Sequence, residues 1–405
     1  MNFTCCKLKD VLRSIHSGGT PSTSVKEYWG GPYKWLSSGE TGQRFITDTI
    51  DTITERGIAE SSTRYAEKES VVMACAGQGK TRGQTSFLLD GMYVNQSVIV
   101  LNPDKKKVLP LYLFYDLSGR YEELRGGSDA SSTRGSITTT SLKSLPFRYP
   151  SVDNQKKIIS ILYAYDNLIE VNTKRIKVLE QMVENLYKEW FVRFRFPDHE
   201  NTEFENGIPK GWKRDRISEF YYTSSGGTPS RDNDDNYNGG RIPWIKTGEL
   251  QDCILIDTEE KITESAIKKS SAKLFQKDSV LMAMYGVNIG MLAYSTVDAT
   301  CNQACCVFRD KADFSTKHYL FQCLKSIRDY LLLIGFGAAQ QNLSQDLIKR
   351  IKIIMPDRDT LVRFEKRIEP LYEETKLLLK SNANLIKQRD LLLPRLMSGK
   401  LEVAL

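Results

Sequence analysis

Residues 154–193, NQKKIISILYAYDNLIEVNTKRIKVLEQMVENLYKEWFVR, decide the fold. Apolar or aromatic side chains fall at Ile161, Tyr165, Leu168, Ile176, Leu179, Val183, Leu186 and Trp190. Steps of three and four put them in one stripe on a long helix, with a stutter around Asn172. Forty residues at ~1.5 Å rise make a rod of roughly 60 Å, too long to serve one compact domain. A second rod closes the chain: residues 361–393 place Phe364, Ile368, Leu371, Thr375, Leu378, Asn382, Leu385, Arg389 and Leu392 at alternating four- and three-residue steps. Each rod follows a block of about 150 residues, so the chain reads block–rod–block–rod.

The two blocks are copies. Ser17-Gly18-Gly19-Thr20-Pro21-Ser22 returns as SGGTPS at 225–230, 208 residues later. Gly30-Gly31, Trp35 and Gly39-Glu40 return as Gly239-Gly240, Trp244 and Gly248-Glu249; Ile53-Thr54-Glu55 returns as Ile262-Thr263-Glu264, and Asn95-Gln96 as Asn302-Gln303. Ordered matches at a nearly constant offset establish an internal duplication, with a period far beyond that of solenoid repeats. Between these anchors the halves diverge: Gly77-Gln78-Gly79-Lys80-Thr81-Arg82 stands roughly opposite Gly286-Val287-Asn288-Ile289-Gly290-Met291. A shared scaffold with divergent loops implies two related but different ligands. Within the first block, VVMACAG (71–77) and SVIVLNP (97–103) read as strands and 109–119 as the start of a helix; after the first rod, WFVRFRFP (190–197) alternates like a strand. The polar segment 198–207 divides the halves.

Composition removes several classes of function. The 405 residues are 40% hydrophobic and 26% charged, with no run near the ~20 apolar residues of a membrane span and no signal-peptide core at the N-terminus. A reduced, cytoplasmic location is expected, because eight cysteines come without a secretory signal. Cys301, Cys305 and Cys306 sit in ATCNQACCVF, which reads as a buried strand, not a metal site. AGQGKT (76–81) lacks the leading glycine of a phosphate-binding loop, since Ala74 stands at that position. No nucleophile elbow, zinc-protease or deaminase signature is present, so the chain carries no recognisable catalytic chemistry.

Binding remains. The net charge of +7 is compatible with ordinary solubility and with a polyanionic partner. A reader of duplex DNA needs donors and acceptors for base edges, cations for phosphates and a rigid frame. The first half offers Lys34, Ser37, Ser38, Gln78, Lys80, Arg82 and Arg134; the second offers Lys246, Thr247, Tyr285, Asn288, Gln340, Gln341 and Asn342. For each, an ordinary turn or surface role competes with DNA contact. Asn95-Gln96 and Asn302-Gln303, shared by both halves, fit scaffold hydrogen bonds better than divergent reading. A duplicated scaffold that binds protein or carbohydrate is the alternative, and a fused methyltransferase a weaker one.

The chain resembles the specificity subunit of a type I restriction–modification enzyme over essentially its full length. The resemblance rests on Leu186–Phe191 with Phe194-Arg195-Phe196-Pro197, on Ile208-Pro209-Lys210-Gly211-Trp212-Lys213 opening the second half, and on Leu391–Lys400 closing the chain. It implies an α+β fold of two duplicated α/β target-recognition domains (1–153 and 201–357) joined by two long antiparallel coiled-coil helices (154–200 and 358–405), with pseudo-twofold symmetry. Ile161, Leu168, Ile176, Leu179, Val183 and Leu186 would pack against Ile368, Leu371, Leu378, Leu385 and Leu392; Asn172 and Asn382, which fall in the stripes, either fix register by hydrogen bonding across the seam or face solvent where the stripe drifts. The resemblance further implies a non-catalytic subunit that reads a bipartite, interrupted site in double-stranded DNA. It would recruit two methyltransferase subunits and motor–nuclease subunits, with S-adenosylmethionine, ATP and Mg held in those partners and no cofactor in this chain. One departure stands out: SSTRGSITTTSL (131–142) occupies the place of GAAQQNLSQDL (337–347), the family's usual glutamine-bearing form.

Overall fold

The structure, a computed structural model, describes residues 2–77, 79–129, 135–335 and 342–402. The chain divides into two compact units, Met1–Ile169 with Asn384–Leu405, and Glu170–Ala383. Both long helices therefore contribute a segment to each unit.

In the first unit a five-stranded sheet runs in the order Leu12–Ser17, Val98–Pro103, Val71–Ala74, Thr85–Leu88, Phe45–Ile46, antiparallel except for its last pair. The strands expected at 71–77 and 97–103 are its centre, where burial on both faces explains the unbroken apolar runs. The helix Pro110–Gly119 buries Tyr112, Leu113, Phe114, Tyr115 and Leu117 in the same core. A second sheet orders Asp51–Ile53, Trp29–Leu36, Met92–Val94 and Arg64–Ala66, and a ribbon pairs Thr4–Lys7 with Pro146–Tyr149.

The second unit repeats this plan, with three strands in place of four in the smaller sheet. Its five-stranded sheet runs Tyr221–Ser225, Cys305–Asp310, Ser279–Ala283, Leu292–Ser295, Cys253–Leu255, again with only the last pair parallel. Lys261–Ile262, Ile242–Ile245 and Thr300–Cys301 form the smaller sheet, and Lys213–Arg216 pairs with Lys352–Met355. Cys301, Cys305 and Cys306 lie on these strands with no solvent exposure. Burial pushes the Cys306 thiol up to about 12, and a bond to Cys301, then burial, raises Cys305. These are inert core thiols. Among the described residues no group of three or more His, Cys, Asp or Glu side chains is placed to hold a metal ion, and no helix is long and apolar enough to cross a membrane.

The central helix runs Val152–Tyr187 and the distal helix Arg358–Met397. In the second unit Asn172 meets Asn382, Arg175 pairs with Glu374, and Trp190 packs on Phe364 at 5.7 Å between ring centres. In the first unit Asp166 meets Arg389 at 2.6 Å. In the second unit partner numbers fall on one helix as they rise on the other, so the segments pair antiparallel there.

The seam of the central helix differs from the stripe read from apolar residues. Its buried positions are Gln155, Ile158, Leu162, Asp166, Asn172, Ile176, Leu179, Val183, Tyr187 and Trp190, while Ile161 and Leu186 are half-buried. Leu168, expected in the seam, is 45% exposed. The stutter expected around Asn172 is present: buried Asp166 and Asn172 stand six residues apart, with half-buried Ile169 between them. On the distal helix Ile368 is buried, and Leu371, Leu378, Leu385 and Leu392 are half-buried beside buried Thr375, Asn382 and Arg389.

The strand-like exit at 190–197 is corrected as well. Lys188–Val192 is a π-helical turn and residues 193–197 form no strand. Phe194 takes φ 57, and Phe194 and Phe196 close on Trp212 at 5.7 and 5.1 Å. The alternating aromatics serve an aromatic cluster, not a pleat.

Candidate functional site

The duplicated anchors build the frame. A Cβ on Gly18 would stand 1.9 Å from the Val94 carbonyl oxygen, and one on Gly226 1.8 Å from that of Cys301. Only glycine admits this approach of two backbones, which explains why the pair recurs. Trp35 Nε1 donates to the Gly19 carbonyl at 3.3 Å, and Trp244 Nε1 to Gly227 at 3.0 Å. Thr20 donates to Gln96, and Thr228 to Gln303 at 2.5 Å. Asn95 accepts from the Ser97 amide at 3.0 Å and Asn302 from that of Ala304 at 3.1 Å. The shared Asn-Gln pairs are scaffold.

A hairpin loop joins Val71–Ala74 to Thr85–Leu88 in the first unit and Ser279–Ala283 to Leu292–Ser295 in the second, and here the halves part. Gly83 N–H donates to Ala74 O and Gln84 N–H to Thr81 O in the first; Gly290 donates to Ala283 and Met291 to Asn288 in the second. This register sets Thr81 opposite Asn288 and therefore Lys80 opposite Val287. An exposed ammonium at one tip stands where the other carries an isopropyl group.

Both hairpins are braced by their own unit. Arg82, expected among the DNA-contacting cations, is instead buried, its Nη1 donating to Gly135 O at 2.7 Å. Tyr121 Oη donates to the Lys80 carbonyl at 2.8 Å. In the second unit the Asn288 amide donates to the carbonyls of Thr247, Gly248 and Leu250 at 3.0, 3.3 and 3.1 Å. Arg328 Nε donates to Gly290 O at 2.9 Å while its guanidinium pairs with Asp252. Asn288 and Thr247, both expected readers, thus meet each other: Asn288 is a strut and Thr247 lends it a carbonyl.

The remaining expected contacts are distributed. Lys34 donates to Asp90 and to the Thr47 carbonyl, both at 2.7 Å, and the bond to Asp90 raises its pKa. Lys246 holds Glu260 at 2.7 Å and Glu259 at 3.1 Å, with its pKa raised chiefly by Glu260. Ser37 N–H and Oγ donate to Glu40 at 3.2 and 3.1 Å, and the Ser38 carbonyl accepts from Thr41. Tyr285 is half-buried and Asn342 exposed. Gln78, Arg134, Gln340 and Gln341 lie outside the described residues. Sequence reasoning missed Val287, because an exposed valine in a loop offers no polar signal; the flanking Gly286 and Gly290, at φ +90 and +77, marked the turn that presents it.

Comparison with known proteins places this geometry in a lineage. The model of a family described as type I restriction modification DNA specificity domain matches residues 2–181 and again 209–387. The type I restriction enzyme MjaIX specificity subunit of Methanocaldococcus jannaschii is 29% identical over 420 residues, covering 98% of this chain and 93% of the relative. The HindI specificity subunit of Haemophilus influenzae is 26% identical, covering 77% and 82%. The crystal structure of the type I restriction–modification S subunit from M. genitalium matches with a TM-score of 0.61 at 14% identity, over 98% of this chain and 96% of that one. At that identity the likeness is one of fold.

Proposed function

Because the chain belongs to the family of type I restriction–modification DNA specificity domains, carrying two copies, we propose that each copy reads one half of an interrupted DNA site. The observation that carries this reading is the pair of equivalent hairpins, alike in strand register and each braced by its own unit, but tipped by Lys80 in one and Val287 in the other. One rigid frame presented twice with different tips is what two different half-sites require. The family description favours DNA over the protein- or carbohydrate-binding alternative.

In this reading the chain supplies sequence choice and no bond-making chemistry. Methyl transfer from S-adenosylmethionine belongs to two partner methyltransferase subunits in the cytoplasm, and ATP- and Mg-dependent cleavage to motor–nuclease subunits. Methylome sequencing of a host expressing the chain with its methyltransferase partner tests it. The expected result is one interrupted, two-part methylated motif; a continuous motif or none overturns the reading.

A further inference from the structure

Val287 is the most exposed of the large apolar side chains described, at 102% of its reference surface. An isolated surface valine is ordinary, but this one is not on a slack loop. Its neighbour Asn288 is tied to three carbonyls of 247–250, the turn closes through Ile289 N–H to Gly286 O at 3.2 Å, and Arg328 holds Gly290 from the helical side. The backbone freedom of the tip has been removed before any ligand arrives, which lowers the cost of binding. An alkyl group is presented rigidly to solvent at the place where the sister unit presents an ammonium.

We propose that Val287 is a specificity-determining residue of the second unit, its methyl groups packing on the 5-methyl group of a thymine in the major groove. This rests on the reading of the chain as a DNA specificity subunit. On the major-groove edges of the bases, the thymine methyl is the only apolar feature, and small alkyl side chains are its usual partners. Valine is shorter than the side chains that serve the alternative use of an apolar tip, a wedge between base steps. Asn288 and Arg328 are positioning residues for the tip. Lys80, at the equivalent place, has the chemistry of a phosphate or guanine contact instead.

The test uses the full chain assembled with its methyltransferase partner, on duplexes carrying its methylated motif. Each thymine in both half-sites is replaced in turn by deoxyuridine, which lacks only the 5-methyl group. Wild type is expected to lose about three- to fivefold in affinity at one position, the worth of one buried methyl. Val287→Ala should bind the unmodified site about as weakly and be indifferent to that same replacement. Equal affinity of the two proteins for the uracil-bearing site shows that the variant is folded. The inference is overturned if neither half-site contains thymine, if wild type tolerates every replacement, or if Val287→Ala retains the full uracil penalty. Absence of any two-part motif defeats the functional reading itself, and this inference with it; a motif with uncoupled thymines defeats this inference alone.

Discussion

The Asn172 side-chain amide donates to Asn382 Oδ1 at 2.9 Å in a seam where both residues are buried, and Asn382 in turn donates to Thr173 at 3.3 Å. A buried amide pair costs stability against two leucines but penalises every register that would leave one amide alone. Asn172→Leu should therefore destabilise the protein by about 1–3 kcal/mol by removing the buried donor that Asn382 Oδ1 accepts from. The double change with Asn382→Leu should recover most of that loss. Urea unfolding of the three proteins checks it, and an additive double mutant would show that the pair is not coupled.

A charged knot sits further along the same two helices, within the first unit. Asp166 accepts from Arg389 at 2.6 Å, from Arg44 at 3.1 and 3.2 Å and from the Tyr115 hydroxyl at 2.8 Å, with side-chain exposures of 2% for Asp166 and 8% for Arg389. Arg44 comes from the recognition block, so the carboxylate ties that block to the helix pair. Asp166→Ala takes this anion from half-buried Arg44 and leaves buried Arg389 with Asp390 alone, and should cost about 3 kcal/mol. Glu67→Ala, which breaks the exposed Arg13–Glu67 pair, should cost less than about 1 kcal/mol by the same denaturation assay.

The glycine pairs give a steric prediction. Gly226→Ala would drive a Cβ to 1.8 Å from a backbone oxygen, whereas Gly248→Ala meets nothing within 4 Å. The first change should lower the melting temperature markedly and abolish reading of one half-site. The second should leave melting within a degree or two of wild type. Comparable melting of the two variants would contradict the close packing described.

Asp116 makes stability depend on pH with an unusual sign. Burial, against the pull of Arg120, lifts its pKa from 3.8 to about 6. The folded state then holds the proton more tightly than the unfolded chain, so this group's contribution is fully present below about pH 4 and is lost as pH rises to about 6. Its size is on the order of 3 kcal/mol. Asp116→Asn should flatten the stability profile across that window, read by denaturant titration at pH 4.5 and 7; an unchanged slope would mean the carboxyl is not perturbed.

Half-site reading should be separable. Lys80→Ala, with an exposed ammonium removed from the first hairpin, should weaken binding and reduce the slope of log affinity against log salt by about 1 if it touches phosphate. It should leave preference within the other half-site untouched. Loss of preference in both half-sites together would mean that the hairpins do not act independently.

The duplication, the two long helices and the central strands were legible because each is written in local periodicity or in spacing that survives between copies. Val71–Ala74 and Val98–Pro103 are apolar without interruption since both of their faces are covered, and SGGTP recurs because two backbones touch there. What the sequence does not carry is the direction in which a polar side chain ends up. Arg82, Asn288, Lys34 and Lys246 have the chemistry of DNA contacts, yet carbonyls and carboxylates 13 to 56 residues away in the chain engage them. Asp166 and Asn172 belong to the helix seam only because Arg389, Arg44 and Asn382 arrive opposite them. With partners present, burying a polar group is tolerable; without them it is prohibitive. The same residue type is therefore core or surface according to contacts that only the tertiary structure supplies, and the rigid exposure of Val287 follows from that same bracing.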